Sequence, residues 1–137
     1  MLNEEVRNIM TKEPVVVSPE ASLKELTDLM TEKKWQQIPV VDGIEFKGLV
    51  TAYDLWKAGD LDNKKVKDIM TTKVIKITPI DKVGTAAELF MDKRFKTLPV
   101  VNLRNELKGV VTAFDVIRHV MRREYSPEKT LYPEVLQ

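Results

Sequence analysis

The feature that most constrains this chain is an internal duplication that spans most of its length. When residues 6–41 are aligned with 66–101, and residues 45–56 with 106–117, 17 of 48 positions are identical, whereas about 3 are expected from average residue usage. Repeats of this size are too small to bury a large core alone. We therefore expect the two copies to pack together around a pseudo-twofold axis.

The two copies differ in length by one residue. The offset between matching positions is 60 up to Val41 and 61 from Lys47 onward, because one residue is inserted between Asn102 and Glu106. An insertion in the most polar part of the repeat predicts a hairpin turn there. The expected divisions are 1–60 for the first repeat, 61–123 for the second and 124–137 for a C-terminal tail.

Each copy predicts the same order of elements, which is strand, helix, strand, strand, helix, and hence an α+β fold. Residues 14–17 and 74–77 are short β-branched runs that end at Ser-Pro or Thr-Pro, so each is expected to be a strand. Ser22 and Glu25 have the spacing of a capping box and predict a helix that ends near Lys34.

The second half of each copy predicts a hairpin followed by a closing helix. In the first copy, strands at 38–41 and 46–51 are joined by Asp-Gly at 42–43, a dipeptide that favours a tight turn. The closing helices are expected to begin at Thr51 and Thr112. The apolar positions expected to face the core are Leu23, Leu26, Leu29 and Met30, then Val83, Ala86, Ala87, Phe90 and Met91, and on the closing helices Leu55, Trp56, Val116, Ile117 and Val120.

Charge and composition exclude several classes of function. Lys plus Arg number 22 and Asp plus Glu 21, so the net charge gives no overall field that would attract nucleic acid or an anionic membrane. The chain has no cysteine and one histidine, His119, which leaves no Cys-rich metal site, thiol nucleophile or convergent acid–base set. No apolar run approaches the roughly 18 residues of a membrane span. We therefore expect a soluble cytoplasmic protein with no catalytic residues and no metal.

One motif recurs in both copies and has the chemistry of a ligand site. It is Gly-Leu-Val-Thr-Ala-Tyr-Asp at 48–54 and Gly-Val-Val-Thr-Ala-Phe-Asp at 109–115. The glycine lets a bulky group approach the backbone, the threonine suits a phosphate at a helix start, and the aspartate can accept hydrogen bonds from two ribose hydroxyls. The Thr-x-x-Asp spacing also describes a capping box, in which both side chains only satisfy free amides. The residues alone leave both interpretations open.

Three motifs in fixed order give the chain a family resemblance. The Ile-Met-Thr lead-in at 9–11, the hydrophobe-Pro-Val-Val strand at 38–41 and the motif at 48–54, each repeated in the second copy, resemble a pair of cystathionine β-synthase (CBS) domains, often called a Bateman module. The resemblance implies a regulatory module rather than an enzyme. It also implies an adenosine-containing nucleotide such as AMP, ADP or ATP as the regulatory ligand.

The resemblance further implies two clefts that face each other across the pseudo-twofold axis. In each cleft the aspartate would contact ribose, the threonine would approach phosphate, and the lead-in of the other copy would complete the wall. One cleft would join Val110, Thr112 and Asp115 to Thr11, Lys12 and Val15; the other would join Leu49, Thr51 and Asp54 to Thr71, Lys73 and Ile75; Gln37 and Thr97 would line the clefts from just before the Pro-Val-Val strands.

Two aromatic residues and three lysines near these positions are less specific signals. Trp35 and Phe95 occupy equivalent places at the end of the first helix of each copy, and core packing is favoured over stacking on a base. Lys12, Lys34 and Lys96 are candidate phosphate partners, although lysines on a charged surface are usually solvated.

The resulting hypothesis is a free-standing CBS pair that senses an adenine nucleotide in one or both clefts and transmits occupancy to an unidentified protein target. By analogy with the family, a homodimer of CBS pairs is expected, and nucleic acid is not expected to bind. Two alternatives remain. One is a ligand-free interaction or oligomerisation module in which the threonines and aspartates are only caps. The other is a CBS pair that binds S-adenosylmethionine, which shares the ribose contacts but needs no phosphate site.

Overall fold

The structure is a computed structural model that describes residues 2–92 and 94–124 of the chain. Residues 125–137, nearly all of the predicted C-terminal tail, lie outside the described residues. The first copy contains α1 (Leu23–Lys33), β1 (Gln37–Asp42), β2 (Glu45–Thr51) and α2 (Ala52–Ala58), and the second contains α3 (Val66–Ile69), α4 (Val83–Phe90), β3 (Thr97–Val101), β4 (Leu107–Thr112) and α5 (Ala113–Glu124). A single 3-10 turn at Val6–Asn8 occupies the place in the first copy that α3 occupies in the second.

Each copy contains the predicted antiparallel hairpin, and the two hairpins share an irregularity. β1 pairs with β2, and β3 with β4. The register shifts between Val40 and Val41 in one hairpin and between Val100 and Val101 in the other. The turn of the first hairpin has Gly43 at a φ of 65°, a left-handed conformation that glycine adopts without steric cost. The hairpin is confirmed, but its turn lies at Gly43 and Ile44, one residue beyond the predicted Asp42-Gly43, because Asp42 still pairs with Glu45.

The strands predicted at 14–17 and 74–77 are each reduced to a single parallel bridge. Val17 bridges Val40 and Ile77 bridges Val100. A parallel ladder extended toward residue 15 would need an N–H from residue 39, and residue 39 is proline, which has none. In the other direction the ladder would need an N–H from Pro19. The second copy has prolines at both equivalent positions, so the same two gaps stop its ladder.

The helices begin and end for local reasons. Ser22 Oγ accepts a hydrogen bond from Glu25 N at 3.0 Å, and α1 ends where Lys34 adopts a left-handed conformation with φ of 59°, as predicted. Three apolar residues predicted to face the core are instead exposed. Trp56 is 77% exposed, Met91 84% and Ile117 53%, because the closing helices and the end of α4 bury only one narrow side.

Two hydrophobic clusters form the interior. Each contains a residue from the lead-in segment of the other copy, which is residues 6–11 in the first copy and 66–71 in the second. Val66 lies in the cluster built by Leu23, Leu26 and Ile38 of the first copy. Val6 lies in the cluster of the second copy with Val83, Leu98 and Val111. All of these side chains are fully buried. The two copies thus exchange their lead-in segments.

Main-chain hydrogen bonds fix the exchange with pseudo-twofold symmetry. Val66 N donates to Ala21 O at 2.9 Å, and the equivalent Val6 N donates to Asp81 O at 2.8 Å. The hairpin tips also meet, since Phe46 N donates to Asn105 O and its equivalent Leu107 N donates to Ile44 O, both at 2.9 Å. The predicted packing of the two copies around a pseudo-twofold axis is confirmed.

Candidate functional site

The glycines of the repeated motif lie where each copy packs against the backbone of the other copy. Leu49 and Thr71 exchange two main-chain hydrogen bonds, at 2.9 and 2.8 Å, beside Gly48. A Cβ on Gly48 would lie 2.6 Å from Thr71 O, and one on Gly109 would lie 2.5 Å from Thr11 O. The bulky group that these glycines admit is therefore the backbone of the other copy.

A cleft of about 380 Å³ opens beside the start of α5 and is called the Thr112 cleft below. Its volume is within the range of small-ligand sites. Residues from both copies line it: Thr11, Lys34, Trp35, Gln36, Gln37, Lys96, Thr97, Thr112, Asp115 and Arg118.

The Thr112–Asp115 pair caps α5 at the wall of this cleft. Asp115 Oδ2 accepts hydrogen bonds from Thr112 N at 2.9 Å and from Thr112 Oγ1 at 3.1 Å. Thr112 Oγ1 in turn accepts from Asp115 N at 3.2 Å. Only 4% of the Asp115 side chain is exposed. One oxygen of the carboxylate thus serves the helix cap.

The other oxygen of Asp115 is held by an arginine that the sequence interpretation did not place in the site. Arg118 Nη2 donates to Asp115 Oδ1 at 3.2 Å. The Arg118 guanidinium also lies over the Phe114 ring, 5.2 Å from its centroid. The Asp–Arg spacing of three on a helix was the signal available in the sequence for this pair.

A second, smaller cleft of about 180 Å³ lies beside the start of α2 and is called the Thr51 cleft. It is lined by Gln37, Leu49, Thr51, Thr71, Lys73, Val74, Ile75, Arg94, Phe95, Lys96 and Thr97. Arg94 in this cleft already has a partner, because its guanidinium lies 2.8 Å from Asp92. Hydrogen bonds from Arg94 lower the pKa of Asp92 below its usual value.

The Thr51–Asp54 pair forms a complete capping box at α2. Thr51 N donates to Asp54 Oδ2 at 2.9 Å, and Asp54 N donates to Thr51 Oγ1 at 3.1 Å. Lys57 occupies the position equivalent to Arg118. Within residues 2–92 and 94–124, no ion pair joins Asp54 to Lys57 or to another cation. The two clefts therefore differ three residues after the aspartate. Arg118 pairs with Asp115 at the Thr112 cleft, whereas Lys57 forms no such pair with Asp54 among the described residues.

The two clefts share a wall made by Gln37, Lys96 and Thr97. Gln37 Oε1 is a buried acceptor with no hydrogen-bond partner among the described residues. Buried polar atoms in folded proteins are nearly always paired. The shared wall thus contains a cation that lines both clefts and a buried acceptor that is unsatisfied among the described residues.

The structure places most of the predicted site residues around these clefts. Thr11, Thr112, Asp115, Gln37 and Thr97 line the Thr112 cleft, and Leu49, Thr51, Thr71, Lys73, Ile75, Gln37 and Thr97 line the Thr51 cleft. Four predicted residues are not among the described lining residues of either cleft: Lys12, Val15, Asp54 and Val110. The side chain of Val110 is fully buried, because its backbone pairs with Thr11. Val15 packs against the first hydrophobic cluster.

A family model described as the CBS domain matches the chain twice, over residues 6–55 and 66–122. The chain belongs to the CBS domain family. Its two repeats are thus a CBS pair, as the motifs predicted. Solved structures of other CBS pairs have the same fold over nearly their full length.

Two of these solved structures contain ligands. CBSX2 in complex with AMP superposes with a TM-score of 0.81 and 28% identity, covering 88% of this chain and 98% of that one; CBSX2 is a CBS-pair protein from Arabidopsis thaliana. The CBS domain pair of protein MJ0100 in complex with 5'-methylthioadenosine and S-adenosyl-L-methionine superposes with a TM-score of 0.75 and 25% identity, covering 88% of this chain and 98% of that one.

The curated relatives are longer proteins. An uncharacterized protein of Methanocaldococcus jannaschii is 30% identical over 130 residues, which are 93% of this chain and 48% of that protein. Inosine-5'-monophosphate dehydrogenase of the same organism is 32% identical, but the CBS pair spans only 23% of its length. The chain thus covers less than half of the length of these relatives. Among its described residues, no helix has the length and apolar character needed to cross a bilayer.

Proposed function

We propose that this CBS pair binds an adenine nucleotide, AMP, ADP or ATP, in the Thr112 cleft and acts as a regulatory sensor rather than as an enzyme. The observation that carries the proposal is the composition of that cleft. A capped helix start with Thr112 and Asp115 faces three cationic side chains, Lys34, Lys96 and Arg118.

The helix start and the cations together suit a phosphate. The amides at the N-terminus of a helix carry partial positive charge and point toward an anion. Arg118 and two lysines add full charges, and the only acidic side chain among the described lining residues is Asp115. An anionic group is therefore stabilised in this cleft by several neighbouring donors.

The carboxylate and the aromatic ring suit the remainder of a nucleotide. Asp115 Oδ1 lies at the cleft wall and can accept hydrogen bonds from ribose hydroxyls. Trp35 lines the same cleft, and an indole ring provides a flat apolar surface for a base. The solved AMP complex of CBSX2 supports the assignment, since that structure covers 88% of this chain.

The charge of the cleft favours a nucleotide over S-adenosylmethionine. The sulfonium of S-adenosylmethionine is a cation, and three cations against one carboxylate repel it. The MJ0100 complex shows that a CBS pair of similar fold binds such ligands, so S-adenosylmethionine remains the comparison ligand for the experiment. The Thr51 cleft, with less than half the volume, is proposed as a weaker second site.

A homodimer of CBS pairs is proposed as the sensing unit, with a separate protein as its target. Four exposed apolar residues on the closing helices form symmetric pairs: Tyr53 is equivalent to Phe114, and Trp56 to Ile117. Exposed apolar patches of this kind mark interaction surfaces. A second copy related by twofold symmetry would cover both pairs at once.

The deciding experiment is calorimetric titration of the whole protein with AMP, ADP, ATP and S-adenosylmethionine in turn. The chain has two tryptophans, Trp35 and Trp56, so the Trp56→Phe variant makes fluorescence report on the Thr112 cleft alone. We expect binding of at least one nucleotide, a change in Trp35 emission, and loss of both in Asp115→Asn. Asp81→Asn is the matched control, because Asp81 also accepts from a backbone amide, Thr78 N at 2.7 Å, but lines neither cleft.

A ligand-free interaction module is the second candidate, and the complete capping box at Thr51 and Asp54 favours it. On that hypothesis both aspartates only stabilise helices. A folded protein that gives no heat and no Trp35 response with any of the four ligands would establish it. Asp115→Asn and Asp81→Asn would then cause similar losses of thermal stability and nothing else.

A further inference from the structure

We infer that Arg118 is a ligand-exchanged latch that makes the Thr112 cleft selective for phosphorylated over neutral adenosine ligands. Arg118 donates to the proposed ribose acceptor Asp115; when a nucleotide binds, ribose takes Asp115 and Arg118 turns to the phosphate. This inference rests on the proposed function, because it assumes that the cleft accepts an adenosine ligand.

Both carboxylate oxygens of Asp115 already accept hydrogen bonds. Its Oδ2 accepts two hydrogen bonds from Thr112, and its Oδ1 accepts from Arg118. The side chain is 4% exposed, so ribose hydroxyls reach it only after the guanidinium moves away. Breaking the Asp115–Arg118 pair costs free energy, because a charge-assisted hydrogen bond joins the guanidinium to the buried carboxylate.

The Arg118 side chain can move, and it lies where it could reach a second anion. Its side chain is 48% exposed, and the contact with Phe114 holds it by the ring face rather than by a second ion pair. It already lines the same cleft as Lys34 and Lys96. Once ribose has taken Asp115, the guanidinium is released from its ion pair and can bind a phosphate in the same cleft.

The consequence is a difference between ligands that share the same ribose and base. A neutral ligand such as adenosine breaks the Asp115–Arg118 pair and offers nothing in exchange. AMP breaks the same pair and forms a new one. Arg118 therefore weakens adenosine binding and strengthens AMP binding, although it need not touch the adenosine part of either ligand.

The Thr51 cleft allows the effect of Arg118 to be compared with that of a lysine at the equivalent position. Lys57 stands at the equivalent position, and among the described residues it forms no ion pair with Asp54. That cleft has no latch to open. Selectivity against neutral ligands is thus a property of the Thr112 cleft only.

The test measures the dissociation constants of AMP and adenosine by Trp35 fluorescence in the Trp56→Phe background, with Arg118 and with Arg118→Met. Methionine keeps the aliphatic length and removes the charge. We expect Arg118→Met to weaken AMP about tenfold and to tighten adenosine, because adenosine no longer has to break the Asp115–Arg118 pair. Lys57→Met is the matched control and is expected to change neither constant at this cleft.

Each outcome separates the latch from the function on which it rests. If the Arg118-containing protein binds neither ligand, the proposed function fails and the latch with it. If that protein binds AMP but Arg118→Met leaves the ratio of the two constants unchanged, or weakens both ligands equally while circular dichroism shows native structure, the latch alone is overturned. Weaker AMP binding together with tighter adenosine binding supports the latch, whereas weaker AMP binding with an unchanged adenosine constant overturns it and leaves Arg118 as a phosphate contact only.

Discussion

At the scale of single residues, Gln37 is the side chain whose surroundings are least satisfied. Its Oε1 is buried in the wall between the clefts without a partner among the described residues. An unsatisfied buried polar group costs about 1–3 kcal/mol. A group of similar shape without that requirement would remove this cost from the ligand-free protein.

We therefore expect Gln37→Met to raise the unfolding temperature of the ligand-free protein by a few degrees, corresponding to about 1 kcal/mol. If a ligand satisfies Oε1, the added stability that AMP confers should shrink in the same variant. Differential scanning calorimetry with and without AMP measures both effects. Gln36→Met, at an exposed neighbour, is the control for the ligand-free measurement only, because Gln36 also lines the Thr112 cleft. An equal rise there would contradict the assignment.

Gly109 and Gly43 show how differently two glycines can constrain one chain. A Cβ on Gly109 meets Thr11 O at 2.5 Å, whereas one on Gly43 meets nothing within 4 Å. Gly43 is needed only for its positive φ. Overpacking against backbone and a strained turn are separate costs.

Gly109→Ala is expected to destabilise the protein by at least about 2 kcal/mol, because the Thr11–Val110 pairing must open. Gly43→Ala is expected to cost about 1 kcal/mol from backbone conformation alone. Urea denaturation measures the two free energies of unfolding. The interpretation is wrong if Gly109→Ala proves the milder change.

At the scale of elements, two helix caps allow stability and binding to be separated. Ser22 Oγ caps α1 through Glu25 N and lines neither cleft. Thr112 Oγ1 accepts from Asp115 N at the start of α5 and lines the larger cleft. Losing either cap should cost about 1 kcal/mol of stability.

Thr112→Val is expected to weaken AMP about tenfold, since a hydroxyl beside the phosphate is lost, while Ser22→Ala leaves AMP binding unchanged. S-adenosylmethionine, which has no phosphate, should be affected little by either change. Calorimetric titration of both variants at matched folded fraction provides the comparison. Equal effects of the two substitutions on AMP would leave Thr112 as a cap only.

The elements also show what the sequence could predict. Helix α1 and the first hairpin follow from local signals such as the Ser22 cap and Gly43, so their bounds were predicted to within a residue. The strands at 14–17 and 74–77 were predicted from β-branched composition, but Pro19 and Pro39 remove the N–H groups that a longer ladder needs. That outcome depends on which strand lies alongside, which composition does not encode.

Only part of the candidate site could be predicted, because some of its residues come together only when the two copies pack. The Thr-x-x-Asp motif is local, so the caps at Thr51 and Thr112 could be predicted from spacing alone. The partnership of Asp115 with Arg118 is also local, but nothing in the sequence distinguishes it from a solvated pair. The convergence of Gln37, Lys96 and Thr97 on a shared wall depends on how the two copies pack.

At the scale of the whole molecule, the exchanged lead-in segments make the two copies one unit. Val66 completes the core of the first copy and Val6 that of the second. A core that lacks a fully buried valine loses about 2 kcal/mol or more of apolar burial, and the main-chain bonds at Ala21 and Asp81 are lost with it. Neither copy contains all the residues of its own interior.

Fragments 1–60 and 61–137 are therefore each expected to be unfolded when purified separately, and to recover native circular dichroism when mixed in equal amounts. The mixture should melt in one transition, since each fragment completes the core of the other. A cooperative thermal transition in either fragment alone would contradict this expectation.

The same exchange has a consequence for the order of events during synthesis. The carbonyl of Glu4 accepts from Val83 N, and that of Pro19 accepts from Lys67 N, so bonds near the start of the chain wait for residues made much later. At roughly 5–20 residues per second, the first copy spends several seconds with an open core. Long-range pairing of this kind slows folding. The nascent first half therefore exposes apolar surface until the second half emerges, and this interval is when the chain is most prone to aggregation.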